Sequence, residues 1–216
     1  MIAPLEERWF LARGCQNGGV TDLKRGRPST VDPNRVERVA LDLILERGFD
    51  HVTMADIADA AGIARRTLFR TVSSKVELVW GGAEEVHERI TDRLAAHDRP
   101  ELSTGSVIAR AYLETYENIP RTLRDLMRER LLIIHRNPAV YAYGHARWLE
   151  DHGEIAGFIA AREGREATEL GVVLRAQLVS ALTFSALLWW AERPEADLAA
   201  TMTEALGELQ RRIDAD

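Results

Sequence analysis

The 216 residues predict an all-α protein, with a three-helix helix-turn-helix front and a larger helical body, about nine helices in all. Three observations carry this expectation. From residue 32 onward apolar side chains recur at intervals of three and four, the period of a helix face. No stretch shows the strict alternation of a half-buried strand. Prolines stand where helices should begin (Pro33, Pro120, Pro138, Pro194) and glycines where they should stop (Gly48, Gly62). The expected organisation is a disordered tail over 1–31 ending in a basic arm, a helix-turn-helix unit over 32–75, and a body over 76–216.

Asp32 caps the first helix and Pro33 sits in its first turn, with Val36, Val39, Ala40, Leu43 and Ile44 along one face. Thr53 opens the second, with Asp56 three residues on in a capping-box pattern, and Met54, Ile57, Ala58 and Ala61 as its apolar face. Gly62 breaks that helix, and 64–71 forms a short third. A longer helix is expected from Ser74 to His97, with Val79, Val86, Ile90 and Leu94 on one face. Five more follow at 106–118, 121–136, 138–161, 166–191 and 195–213.

Hydrophobic residues make up 46% of the chain, enough for a sizeable core. The net charge of −6 argues against a generally basic nucleic-acid binder, but the charge is unevenly placed. Residues 24–75 hold ten basic and seven acidic side chains; residues 76–216 hold 16 and 24. A positive front on a negative body suits a front that meets an anion. Cys15 is the sole cysteine, so an intrachain disulfide is impossible and a reducing, cytoplasmic setting is expected. The beginning of the chain lacks the basic-then-apolar layout of a signal peptide. The most apolar stretch, Leu170–Ala191, is interrupted by Arg175 and leaves 16 uncharged residues, short of the ~20 a spanning helix needs. It reads as a buried helix rather than a membrane span.

The stretch "AGIARRTLFRTVSSKVEL" (61–78) gathers Arg65, Arg66 and Arg70 on a helix whose other side carries Ile63 and Leu68. Two short helices joined by a glycine turn can lay the second in a DNA major groove. Arginine there bonds a guanine edge or a phosphate, and Thr67 and Thr71 are short enough for backbone or a thymine methyl. Thr53 and Lys75 begin helices whose free N–H groups suit phosphates. A solvated basic helix in a bundle that binds nothing is the alternative.

The segment "TMADIADAAGIARRTLFRTVSSKVEL" (53–78) resembles the DNA-binding signature of TetR-type bacterial regulators, with the match covering about 35–78. The resemblance implies an all-helical homodimer in which helices one to three bind a palindromic double-stranded operator and the rest bind a small-molecule effector and dimerise. The family places aromatics where this chain has Thr71 and Val72, which puts the phosphate contact of the first of them in doubt. "FRTVSSKVELVWGG" (69–82) and "HARWLEDHGEIAGFIAAR" (145–162) resemble regulators associated with mycofactocin gene clusters, which implies a long-chain acyl-CoA effector. Before the first helix, "KRGRP" offers Arg25 and Arg27 to an A·T minor groove, or is an ordinary basic tail.

Other constellations are weaker. His145 and His152 lie about 10 Å apart along a helix, too far to share an ion, so no metal is expected. No nucleophile elbow, phosphate loop or dinucleotide fingerprint occurs, so neither an enzyme nor a cofactor is expected. Tyr112, Tyr116, Met127, Tyr141, Trp148 and Phe158 are candidate lining for an effector pocket, with Arg130, His135, His145 and Arg147 as polar anchors, although each aromatic suits plain core packing. The apolar surplus of the last two helices predicts a four-helix dimer interface through Leu178, Leu182, Leu206 and Leu209. The reading is a homodimeric DNA-binding regulator, a repressor released by an apolar or acyl-type effector. A ligand-independent architectural DNA binder is the alternative.

Overall fold

The computed structural model describes residues 32–214, with side chains for all but 84 and 145–152. The tail over 1–31 with Arg25 and Arg27, and the side chains of His145, Arg147 and Trp148, lie outside the described residues. Within them the chain is helical with no strand: α1 (Pro33–Arg47), a 3-10 turn (Phe49–His51), α2 (Met54–Ala61), α3 (Arg65–Thr71), α4 (Lys75–Trp80), α5 (Ala83–His97), α6 (Thr104–Glu117), α7 (Arg121–Arg136), α8 (Pro138–Glu163), α9 (Leu170–Ala191) and α10 (Leu198–Ile213).

Ten α-helices stand where about nine were expected, because the single helix drawn from Ser74 to His97 is two. Gly81 is extended (ψ 144) and Gly82 left-handed (φ 83), so the chain turns between α4 and α5. Adjacent glycines lower the cost of that break.

The front is a small bundle. Val36, Ala40, Leu41 and Ile44 of α1 are buried with Phe49, Val52, Ile57, Ala58, Ala61, Leu68 and Val72. Gly62 holds the α2–α3 turn with φ 68, and the Ile63 N–H reaches back to the Ala58 carbonyl at 3.0 Å. Only glycine takes that left-handed position without strain.

The body is built around α10, which packs on α6 and α9. Leu198, Met202, Leu206, Leu209 and Ile213 all face inward. This corrects the expectation that Leu206 and Leu209 meet a second chain. An amphipathic helix has one apolar stripe, and here the protomer's own core takes it. Beyond α10, Asp214 turns back over the start of α6, accepting from Ser103 Oγ at 2.6 Å and the Gly105 N–H at 3.0 Å. A Cβ at Gly105 would lie 2.7 Å from the Asp214 carboxylate, so the contact requires glycine.

The reading of Leu170–Ala191 as a buried helix also needs correction. One side of α9 faces the core through Val172, Ala176, Val179, Thr183, Phe184, Leu187 and Trp190. The other leaves Leu170 72%, Leu174 58% and Trp189 48% exposed, with Leu178 and Leu182 half-buried. Among the described residues it is the one helix long and apolar enough to cross a membrane.

Front and body meet where α1 and α4 pack on α7. Arg130 of α7 is buried and donates to Glu37 of α1 at 2.6 Å, and beside it Arg38 donates to Glu129 at 2.8 Å. At the far end of α4 the Trp80 indole lies on α8, its Nε1–H donating to the Val140 carbonyl at 2.9 Å. Gly144 makes that fit, since a Cβ there would fall 1.9 Å from the indole. Trp80 stacks on Phe184, ring centroids 6.0 Å apart and 24° off parallel, and Tyr141 meets Phe184 at 5.7 Å.

Candidate nucleic-acid interface

The presenting surface is α3. Leu68 is buried and Thr67 and Thr71 half-buried, while Arg65, Arg66, Phe69 and Arg70 face solvent. Positions 65, 66, 69 and 70 share one helix face by the three-to-four spacing. Arg65 lies 4.0 Å from Asp59 across the turn, a loose pair at an exposed site. Among the described residues no carboxylate lies within ion-pair distance of Arg66 or Arg70, so both guanidiniums are available to an anion.

Phe69 was missed by the sequence reading. It is 54% exposed in the middle of the basic face. The helical interval from Arg65 would have found it. A solvated aromatic ring among arginines fits a base edge carrying a methyl group.

The other expected contacts fare differently. The Thr53 hydroxyl is engaged in the α2 cap: it donates to Asp56 Oδ2 at 2.6 Å and accepts from the Asp56 N–H at 3.2 Å. Donation from the Thr53 hydroxyl, and from the Thr53 N–H at 2.8 Å, holds the Asp56 carboxyl below its ordinary pKa. The Thr71 hydroxyl donates to the Thr67 carbonyl at 3.2 Å, its own preceding turn. The Lys75 side chain is engaged elsewhere: its ammonium donates to the Phe49 and Val52 carbonyls and sits 4.1 Å from the Phe49 ring centroid, tying α4 to the turn after α1, so the expected phosphate contact there rests on the helix N–H groups alone.

The residues proposed for an effector pocket are divided. Tyr112 and Tyr116 are buried, and burial pushes the Tyr116 phenol well above its ordinary pKa. Met127, Tyr141 and Phe158 are half-buried. Arg130 is not a free anchor, because its guanidinium is paired with Glu37. His135 lies 3.0 Å from Glu192 at the end of α9. Trp80 and Phe184, which the sequence reading did not include, join Tyr141 in the aromatic cluster shared by α4, α8 and α9. A cleft of about 450 Å³ lies elsewhere, against Arg121, Arg124, Arg128 and Trp190. There Arg128 donates to the Trp190, Ala191, Arg193 and Ala196 carbonyls and closes the end of α9.

Arg66→Ala and Arg70→Ala are each expected to weaken specific DNA binding by about 1–3 kcal/mol, the range for a good base or charged contact. Phe69→Ala should relax preference at one A·T position more than it lowers overall affinity. Titrations at fixed salt against operator and single-base variants check all three. Unchanged affinity in both arginine variants would remove α3 from the interface.

Comparison with known proteins agrees with this architecture. Residues 38–79 match the family model described as bacterial regulatory proteins, tetR family. Residues 102–214 match the MftR C-terminal domain. MftR of Mycobacterium tuberculosis, whose name assigns it to the transcriptional regulation of mycofactocin biosynthesis, is 33% identical over 84% of this chain and 89% of its own length. Among solved structures, Thermus thermophilus FadR, a TetR family transcriptional repressor in complex with lauroyl-CoA, is 23% identical with TM-score 0.52, covering 82% of this chain and 92% of that one. The fatty acid degradation regulator FadR from Bacillus halodurans is 15% identical with TM-score 0.57, covering 87% and 97%. Those two likenesses speak for the fold. With both halves matched and a relative aligned along most of its length, the chain belongs to the TetR family of transcriptional regulators and carries an MftR-type C-terminal domain.

Proposed function

We propose that the chain works as a homodimeric repressor that holds a palindromic operator and releases it when a long-chain acyl-CoA enters the body. The observation that carries the DNA half is the exposed Arg65–Arg66–Phe69–Arg70 face on the positive part of the chain. Dimerisation is supported by the outer face of α9, where Leu170, Val173, Leu174 and Trp189 expose apolar surface that a lone soluble protomer has little reason to keep. A dimer that reads a palindromic operator needs its two α3 helices at successive major grooves, about 34 Å apart.

The effector half is supported by the aromatic cluster Trp80–Phe184–Tyr141, where α4 of the front reaches into the body. An acyl tail gains about 0.8 kcal/mol per buried methylene in such surroundings. Displacing Trp80 would move α4, whose other end Lys75 anchors in the front. Release follows only as far as the ligand prefers the released arrangement. The fold is shared with a FadR bound to lauroyl-CoA.

Titrating a preformed protein–operator complex with acyl-CoAs of increasing length is expected to give release that strengthens with length, with no effect of free CoA. Phe184→Ala, which removes the ring between Trp80 and Tyr141, should blunt it. A flat response at every length would eliminate acyl-CoA and favour a ligand-independent DNA binder.

A further inference from the structure

Among the described residues Arg130 is the only charged residue that is buried, 8% exposed. Burying a guanidinium is costly unless it is paired with good geometry, and apolar side chains of similar volume often do as well for stability. The site keeps the charge. Arg130 donates to Glu37 at 2.6 Å, while its Nε is buried without a hydrogen-bond partner. The pair joins α7 of the body to α1 of the front. Gly81, at the turn from α4 to α5, closes over it: a Cβ there would lie 2.7 Å from Glu37 Oε1 and 3.1 Å from the Arg130 guanidinium. Three elements that link front to body therefore converge on one directional contact. The neighbouring Arg38–Glu129 bridge is more exposed, 46% at Arg38, and exposed bridges contribute little.

We infer that Arg130 is a positioning residue: through Glu37 it fixes how the front is set on the body, and so the separation of operator half-sites that the protein accepts. The inference rests on the homodimeric, operator-reading function proposed above. An apolar contact between α1 and α7 tolerates sliding of one helix on the other. A short charged hydrogen bond fixes distance and direction together. Neither residue lies on α3, so its effect should appear in spacing rather than in base preference.

The test is a set of operators whose half-sites are moved apart or together by one and two base pairs, measured at fixed salt. Wild type is expected to bind one spacing best. The double variant Glu37→Leu/Arg130→Met is expected to remain folded and dimeric and to lose about tenfold of that preference, within the range for coupled contacts. Glu37→Gln should broaden it in the same sense. Single-base preferences within a half-site should not move. The double variant, folded and dimeric with the wild-type spacing profile, would overturn the inference. If the double variant does not fold, Glu37→Gln decides by the same profile. A wild type with no preferred spacing would remove the two-site reading itself, and this inference with it.

Discussion

Leu174→Glu is expected to yield a folded monomer that no longer holds its operator, whereas Leu206→Glu is expected not to fold. The two substitutions are chemically alike and differ in where the leucine lies. Leu174 is 58% exposed in the protomer, so a carboxylate there is solvated until a second chain covers it. Covering it costs several kcal/mol or forces its protonation, enough to reduce dimer affinity by more than about a hundredfold. Leu206 is 2% exposed within a single chain, and a charge there opposes folding itself. Light scattering and far-ultraviolet circular dichroism separate the cases. A dimeric Leu174→Glu chain, or a wild type that is monomeric at micromolar concentration, would end the assignment of α9 to the dimer interface.

Gly144→Ala sets two effects against each other. Alanine in place of a mid-helix glycine normally stabilises by roughly 0.5–1 kcal/mol. Here the added methyl would lie 1.9 Å from the Trp80 indole, so the ring must leave. Overpacking costs about 1–3 kcal/mol, and the lost Nε1–H bond to Val140 about 1 more. The clash wins by about 2 kcal/mol, a fall in Tm of roughly 4–8 °C for a domain of this size. Because Trp80 ends α4, operator affinity should fall as well. A thermal melt within a degree of wild type would show that Trp80 does not depend on the bare glycine.

The helix-turn-helix was legible because its determinants are local. Thr53 and Asp56 form the capping box their spacing predicts, and Gly62 takes the left-handed turn. What was not legible concerns side chains whose partners are distant in the chain. Lys75 stands where a phosphate contact is reasonable, but carbonyls 23 and 26 residues earlier take its ammonium protons. Arg130 looks like a pocket anchor until Glu37, 93 residues away, is brought to it. Leu206 and Leu209 form an apolar stripe in either reading, and periodicity cannot say which surface receives it. Gly144 and Trp80 carry no signature at all, because their fit exists only once α4 is laid across α8.

The contact of Asp214 with Ser103 and Gly105 bears on how the protein should be handled. The carboxylate takes the place of a lid on the first turn of α6, and it follows the last helix directly. A purification handle joined immediately behind it would pull on that lid, and a chain shortened to residue 212 would leave the Gly105 N–H to water.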